Sequence, residues 1–197
     1  MAMINTYLAY VPLPDELADR LDTYTKELKS GELDVLSVPR LRAHVTLMRM
    51  TCDVSNERAI DEELGDIGHE TVSFVPDEVE KFSQSAVALD MEESEAIHEL
   101  HQKVAEVFAN RQAQDNQHVK PEYQDRQDTI QKYGSPFFGE YYNPHMTIGY
   151  TGEDFDELPL PRDLNESVQF EASELVLSKK EQGSGRPYEE VGTYEFA

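Results

Sequence analysis

The chain has 197 residues, with 40 Asp or Glu against 17 Lys or Arg and a formal net charge of −23. That length suits one substantial domain or two small lobes, and is too short for two ordinary domains joined by a linker. So much negative charge repels long polyanions and anionic membranes, which excludes polybasic binding of nucleic acid or lipid.

In chain order, residues 4–14 (INTYLAYVPLP) are rich in β-branched and aromatic side chains and end at prolines, as a strand does. The opening stretch has no basic leader, and no run approaches the ~18 apolar residues of a membrane helix, so a cytoplasmic protein with no membrane partner is expected. Leu17, Leu21, Tyr24 and Leu28 recur at helical spacing behind an acidic first turn, predicting a helix over 14–30. RLRAHVTLMRM (40–50) predicts the next strand. Cys52, the single cysteine, has no disulfide partner in the chain and suits a half-buried small hydrophobe. SNERAIDEELGDIG reads as a short helix opened by Ser55, and 70–91 as strands broken near Pro76-Asp77.

Asp90 and Glu93 are spaced as a capping box for a helix over 92–109, whose Ile97, Leu100, Val104, Val107 and Phe108 form one apolar stripe. His98 and His101 lie on that helix without a cysteine or further histidine nearby, so surface positions are expected and not metal ligands. Residues 110–135 are polar and Gln-rich, which predicts a long loop or lid that adds little to the core. NPHMTIGY (143–150) resumes as a strand, GEDFDELPLPRD is an acidic connector, and SVQFEASELVLS and YEEVGTYEF are two closing strands.

Two halves share one order: strand, amphipathic helix, then a strand carrying His-x-Thr between apolar residues. The expected architecture is α+β, a single bilobed unit over 1–197 built from duplicated β-α-β units, with antiparallel sheets flanking a central cleft and 110–143 as an inserted polar loop. Residues i and i+2 of a strand share a face, so His44 and Thr46 point one way while Val45 and Leu47 point the other; His145 and Thr147 likewise oppose Met146 and Ile148. With six histidines and ten threonines in the chain, composition alone gives roughly 0.05 such motifs. Two are present. Imidazole exchanges protons near neutrality and a threonine hydroxyl donates to an anionic oxygen, so two facing pairs offer a base, an acid and two phosphate-binding hydroxyls with no metal and no cofactor.

The doubled motif, AHVTL and PHMTI, resembles the signature of the 2H phosphoesterase superfamily, which includes 2',3'-cyclic phosphodiesterases and 2',5'-RNA ligase-like proteins. TYLAYVPLPDELADRL resembles that family's opening strand and helix, and FEASELVLSKKEQGSGRPYEEVGTYEF its closing hairpin with Tyr188. The resemblance implies a bilobed fold, metal-free hydrolysis or transesterification of phosphodiesters, and His44, Thr46, His145 and Thr147 as the catalytic positions. The stretch 110–143 is longer and more polar than in compact members, and the acidity is unusual for a protein handling large RNA.

Arg42 shares the strand phase of His44 and suits a phosphate; Tyr141 and Asn143 share that of His145 and belong at the cleft mouth, with Tyr188 as a further substrate contact. The aromatics Tyr123, Tyr133, Phe137, Phe138 and Tyr142, interleaved with Lys120, Arg126 and Lys132, read either as a base-stacking surface or as an ordinary surface loop. The expected partner is a nucleotide or RNA-end phosphodiester, not long nucleic acid, met by a monomeric enzyme. The alternatives are a non-catalytic module that binds a nucleotide or RNA end, and a hydrolase of cyclic oligonucleotide signals. The charge of Arg42 near His44 disfavours imidazolium there, which leans toward His44 as base and His145 as acid.

Overall fold

A computed structural model describes residues 3–30, 35–37, 43–82, 85–113, 121–155, 169–184 and 187–196; Arg42 and Lys120 lie outside them. The elements in order are β1 (Ile4–Pro12), α1 (Asp15–Ser30), β2 (Leu36–Ser37), β3 (His44–Asp53), α2 (Glu57–Gly65), β4 (Val72–Phe74), β5 (Pro76–Lys81), β6 (Ala86–Met91), α3 (Glu95–Phe108), α4 (Gln127–Tyr133), β7 (His145–Tyr150), β8 (Phe170–Ala172), β9 (Glu174–Glu181) and β10 (Glu189–Glu195). The helix after β6 is capped by Ser94, whose hydroxyl accepts from the Ile97 N–H at 3.2 Å. The expected Asp90 cap does not form, because Asp90 is a residue of β6 paired with His145.

An eight-stranded sheet runs β10-β9-β1-β3-β7-β6-β5 with β2 added beside β7, while β4 and β8 form a separate pair. Every pairing is antiparallel. The fold class is thus the α+β architecture expected, with one refinement: the two sets of strands are a single sheet, joined where β3 and β7 pair only at Val45 and Met146. The helices cross over. α1 packs against β2 and β7, and α3 against β3 and β4, so each motif strand is backed by the other half's helix. Tyr7, Leu47, Met48, Leu89, Leu100, Phe108 and Met146 fill the core between the layers, each under 2 % exposed.

Both motif strands carry a β-bulge immediately after the threonine. On β3, Tyr10 faces Thr46 while its neighbour Ala9 faces Met48, which leaves Leu47 as the extra residue. On β7, Ala88 faces Thr147 while Val87 faces Gly149, which leaves Ile148 extra. A bulge admits two successive residues to one face and re-aims the side chains after it. Leu47 and Met48 are accordingly both buried, as are Ile148 and Gly149, and the next residues, Arg49 and Tyr150, are exposed.

Beyond Val45 the edge of β3 is satisfied by residues of 101–142. The Thr46 carbonyl accepts from the Tyr142 hydroxyl at 3.0 Å, the Leu47 carbonyl from His101 Nδ1 at 2.9 Å, and the Thr51 carbonyl from the Ala113 N–H at 2.9 Å. Buried backbone carbonyls need such partners. The stretch 110–135, predicted as a loop that adds little to the core, therefore does contribute: α4 lies within it with Ile130 and Tyr133 buried, and Phe138 and Tyr142 just beyond it are buried too. His101, expected on the surface, is 1 % exposed. Cys52 is fully buried and not half-buried, and burial pushes its thiol up to about 12. No described helix is long and apolar enough to cross a membrane.

Candidate active site

Antiparallel strands keep their register on either side of a pair. With Val45 opposite Met146, His44 falls opposite Thr147 and Thr46 opposite His145. These four side chains are half-buried while Val45, Leu47, Met146 and Ile148 are buried, as the alternation predicts. Where β3 and β7 meet, two hydroxyls and two imidazoles share one face of the sheet.

His145 is held on several sides. Its Nδ1 lies 2.9 Å from the Asn143 carbonyl, which assigns the proton to Nδ1 and leaves Nε2 with its lone pair. Its ring stacks on Phe82, centroids 3.6 Å apart and planes inclined by 23°. Burial lowers its pKa, against opposing pulls from the Asn143 carbonyl and the charge of Glu80. The Asn143 amide donates to Asp90 Oδ2 at 3.2 Å, and burial raises the Asp90 carboxyl. His44 sits differently, its ring tilted 51° against Tyr10 at 4.8 Å between centroids.

A cavity of about 470 Å³ opens beside the motifs. Thr46, Arg49 and Thr51 of β3 form one wall, and Phe137, Phe138, Tyr141 and Tyr142 the facing one. His145 and Phe82 close one end and Asn143 also lines it, while Thr6 and Gln182 lie toward the other. Arg126 rests on the Tyr141 ring at 4.2 Å, bracing that wall from outside the lining. Among the described residues no three His, Cys, Asp or Glu side chains are grouped so as to hold a metal ion.

Of the residues singled out from sequence, Thr46, Tyr141, Asn143 and His145 meet at this cavity, together with Phe137, Phe138 and Tyr142 of the aromatic set, while Tyr123 and Tyr133 do not line it. His44 and Thr147 share the face but do not line it; Thr147 borders a small crevice beneath α1, with Ala43 and Thr25. Tyr188 lies over Lys180, 5.0 Å from the ammonium to the ring centroid, and does not line the cavity. Arg42 lies outside the described residues. Sequence reasoning missed Arg49. Strict alternation from His44 assigns Arg49 to the core face with Val45 and Leu47, and only the bulge returns it to the cavity. The apolar doublet Leu47-Met48 was the available signal.

The crystal structure of LigT from E. coli in apo form superposes with a TM-score of 0.72 at 14 % identity, covering 100 % of this chain and 99 % of the other. LigT complexed with 3'-AMP gives 0.71 at 14 % identity, with the same coverage. TT0787 of Thermus thermophilus gives 0.64 at 13 % identity over 97 % of each chain. At these identities the likeness is one of fold. No curated protein sequence matches the chain significantly. The profile of the 2'-5' RNA ligase superfamily matches residues 13–184, and the chain belongs to that superfamily, the 2H phosphoesterases.

Proposed function

We propose that this protein is a metal-independent phosphodiesterase that opens 2',3'-cyclic or related phosphodiester bonds of nucleotides or RNA ends by paired-histidine acid–base catalysis. The observation that supports it is the Val45–Met146 register, which sets each histidine across from the other motif's threonine. Family membership supports a phosphoesterase-type activity, and the related LigT has been crystallised with 3'-AMP.

In this reading His145 is the base. Burial against Phe82 favours its neutral form, and with Nδ1 committed to the Asn143 carbonyl, Nε2 is the atom that takes a proton from water. The oxygen of that water attacks phosphorus, and the bond from phosphorus to one ribose oxygen breaks. His44 supplies the proton to that oxygen. The hydroxyls of Thr46 and Thr147 donate to the non-bridging oxygens, where charge accumulates. The product is a phosphomonoester, and the two histidines exchange protonation states before the next turnover. These roles reverse the lean drawn from sequence, where burial of His145 was not visible.

The test is incubation with 2',3'-cyclic mononucleotides, RNA fragments ending in 2',3'-cyclic phosphate, and cyclic oligonucleotides, all in EDTA, with product identification. Ring opening of a 2',3'-cyclic phosphate is the result expected. Binding without turnover of any member favours the non-catalytic module, and turnover of the cyclic oligonucleotides alone favours a hydrolase of such signals.

A further inference from the structure

Beside His145 the sheet gathers carboxyl groups. On β6, Asp90 faces His145 of β7, and Ala88 faces Thr147 on one side and Glu80 of β5 on the other. Cross-strand partners, and residues two apart on one strand, share a face, so Glu80 and Asp90 lie on the face that carries the motifs. β5 bulges across from Asp90: Pro76 pairs with Met91 and Val79 with Leu89, so Asp77 and Glu78 together oppose the single Asp90. Among the described residues, the titratable groups around the Asp90 carboxyl are Asp77, Glu78 and Glu80 from β5 and His145 from β7.

This crowding raises a question of hydrogen bonding. Glu80 and Asp90 are both half-buried. Asp90 Oδ2 accepts from the Asn143 amide at 3.2 Å, but Oδ1 is buried and, while both carboxyls are ionised, has no donor among the described residues. The Glu80 carboxyl is in hydrogen-bonding contact with Asp90. Two ionised carboxylates in contact repel and have no proton to place between them, whereas one proton turns the contact into a strong hydrogen bond. Burial raises the Asp90 carboxyl against the pull of its hydrogen bonds to Asn143 and Glu80, and the charges of Glu78 and Asp77 add to the rise, which favours keeping that proton. Asn143 links the pair to the reaction. Its side chain is tied to Asp90 while its backbone carbonyl holds His145 Nδ1 at 2.9 Å, so the pair's geometry reaches the tautomer and aim of His145. The pair's charge reaches it too. Burial lowers the His145 pKa and the charge of Glu80 opposes that, so a shared proton, leaving one negative charge in place of two, helps to keep the imidazole neutral.

We infer that Glu80 and Asp90 hold one proton between them and that Asp90 is a positioning residue, fixing His145 through Asn143 for proton abstraction. This rests on the phosphodiesterase reading, with His145 as base, and deepens it. A misaim of about 1 Å at a reacting group costs on the order of a hundredfold in rate, which is why a residue that never touches substrate matters here.

The shared proton is tested by following the imidazole nitrogens of His145 by NMR against pH in wild type, Asp90→Asn, Glu80→Gln and the double variant. Either single amide supplies the hydrogen that the shared proton supplied and leaves one negative charge, so the His145 midpoint should match wild type; the double variant removes that charge, and the midpoint should fall. A midpoint already lowered by a single variant, as two separate charges in wild type would give, or a midpoint unmoved in the double variant, overturns the shared proton. Turnover of a 2',3'-cyclic mononucleotide in EDTA reads the positioning. Asp90→Ala should lose about tenfold to a hundredfold in kcat with KM nearly unchanged, while Asp90→Asn keeps most of the rate. Wild-type kcat in Asp90→Ala, or Asp90→Asn as impaired as Asp90→Ala, overturns the positioning role. If wild type turns over no cyclic nucleotide, the phosphodiesterase reading fails separately, and the nitrogen spectra decide: the Nδ1–H tautomer alone in wild type and Asp90→Asn with a mixture in Asp90→Ala sustains the positioning, and one tautomer throughout overturns it. Should Asp90→Ala not fold, Asp90→Val, which suits a strand, takes its place in both readings.

Discussion

His101 donates from Nδ1 to the Leu47 carbonyl and accepts at Nε2 from the Gly139 N–H, each at 2.9 Å, and stacks on Tyr142 at 3.8 Å. Both ring nitrogens are engaged only in the neutral form, and burial brings its pKa down to about 4. The unfolded chain takes up this proton near 6.5, so between 6.5 and 4 the unfolded state binds more protons and stability falls as pH falls. That interval corresponds to roughly 3 kcal/mol, fully present above 6.5 and gone by about pH 4. Denaturant unfolding of wild type and His101→Gln should therefore show a stability difference that shrinks by about 3 kcal/mol from pH 7 to pH 4; a difference that does not move with pH would show that His101 is not held neutral. His145 carries the kinetic counterpart. Its lowered pKa places the ascending limb of the rate profile below the ordinary histidine value, and a substrate with an activated leaving group, which no longer needs the acid, should rescue His44→Ala far more than His145→Ala. Rescue of His145→Ala instead would exchange the two roles. The strand phase of the motif residues was legible because i, i+2 spacing is local. His101 was not, because its partners at Leu47 and Gly139 are 54 and 38 residues away and no spacing announces them.

Among elements, the paired bulges decide which side chains reach the cavity. Alternation gave the half-buried phase of His44, Thr46, His145 and Thr147, and it failed one residue past the bulge, at Arg49. Gly149 shows how tightly the second bulge is packed: a Cβ there would run into Val35 Cγ1 and lie 3.0 Å from the Leu36 carbonyl oxygen, so β2 can lie against β7 only because the side chain is absent. Gly149→Ala should cost about 1–3 kcal/mol, as overpacking does, and Val35→Ala in the same chain should return part of it. Additive losses in the double variant would contradict this reading of the contact. The segment 110–143 is the other element-scale lesson. Its Gln-rich composition concealed α4, because Ile130 and Tyr133 are only two buried side chains at one helical spacing. Ile130→Ala should destabilise the fold by about 2–4 kcal/mol, measured by thermal or denaturant unfolding. A change near zero would return this stretch to the status of a detachable loop.

At the scale of the molecule, the shared order of strand, helix and motif strand was readable from the chain, and it corresponds to β1-α1-β3 and β6-α3-β7. The crossing of the helices was not, since α1 backs β7 and α3 backs β3 through contacts that link distant parts of the sequence. This exchange ties the two motif strands to one common core although they pair directly at a single position. The central claim is that these two strands together form a metal-free acid–base site. It is tested most directly by turnover of a 2',3'-cyclic substrate in EDTA by wild type, His44→Ala and His145→Ala. Wild type should turn over, and each variant should lose about 10²- to 10⁴-fold while remaining folded. Loss of wild-type turnover in EDTA that a divalent ion restores, or a folded variant that keeps more than about a tenth of the rate, would contradict it.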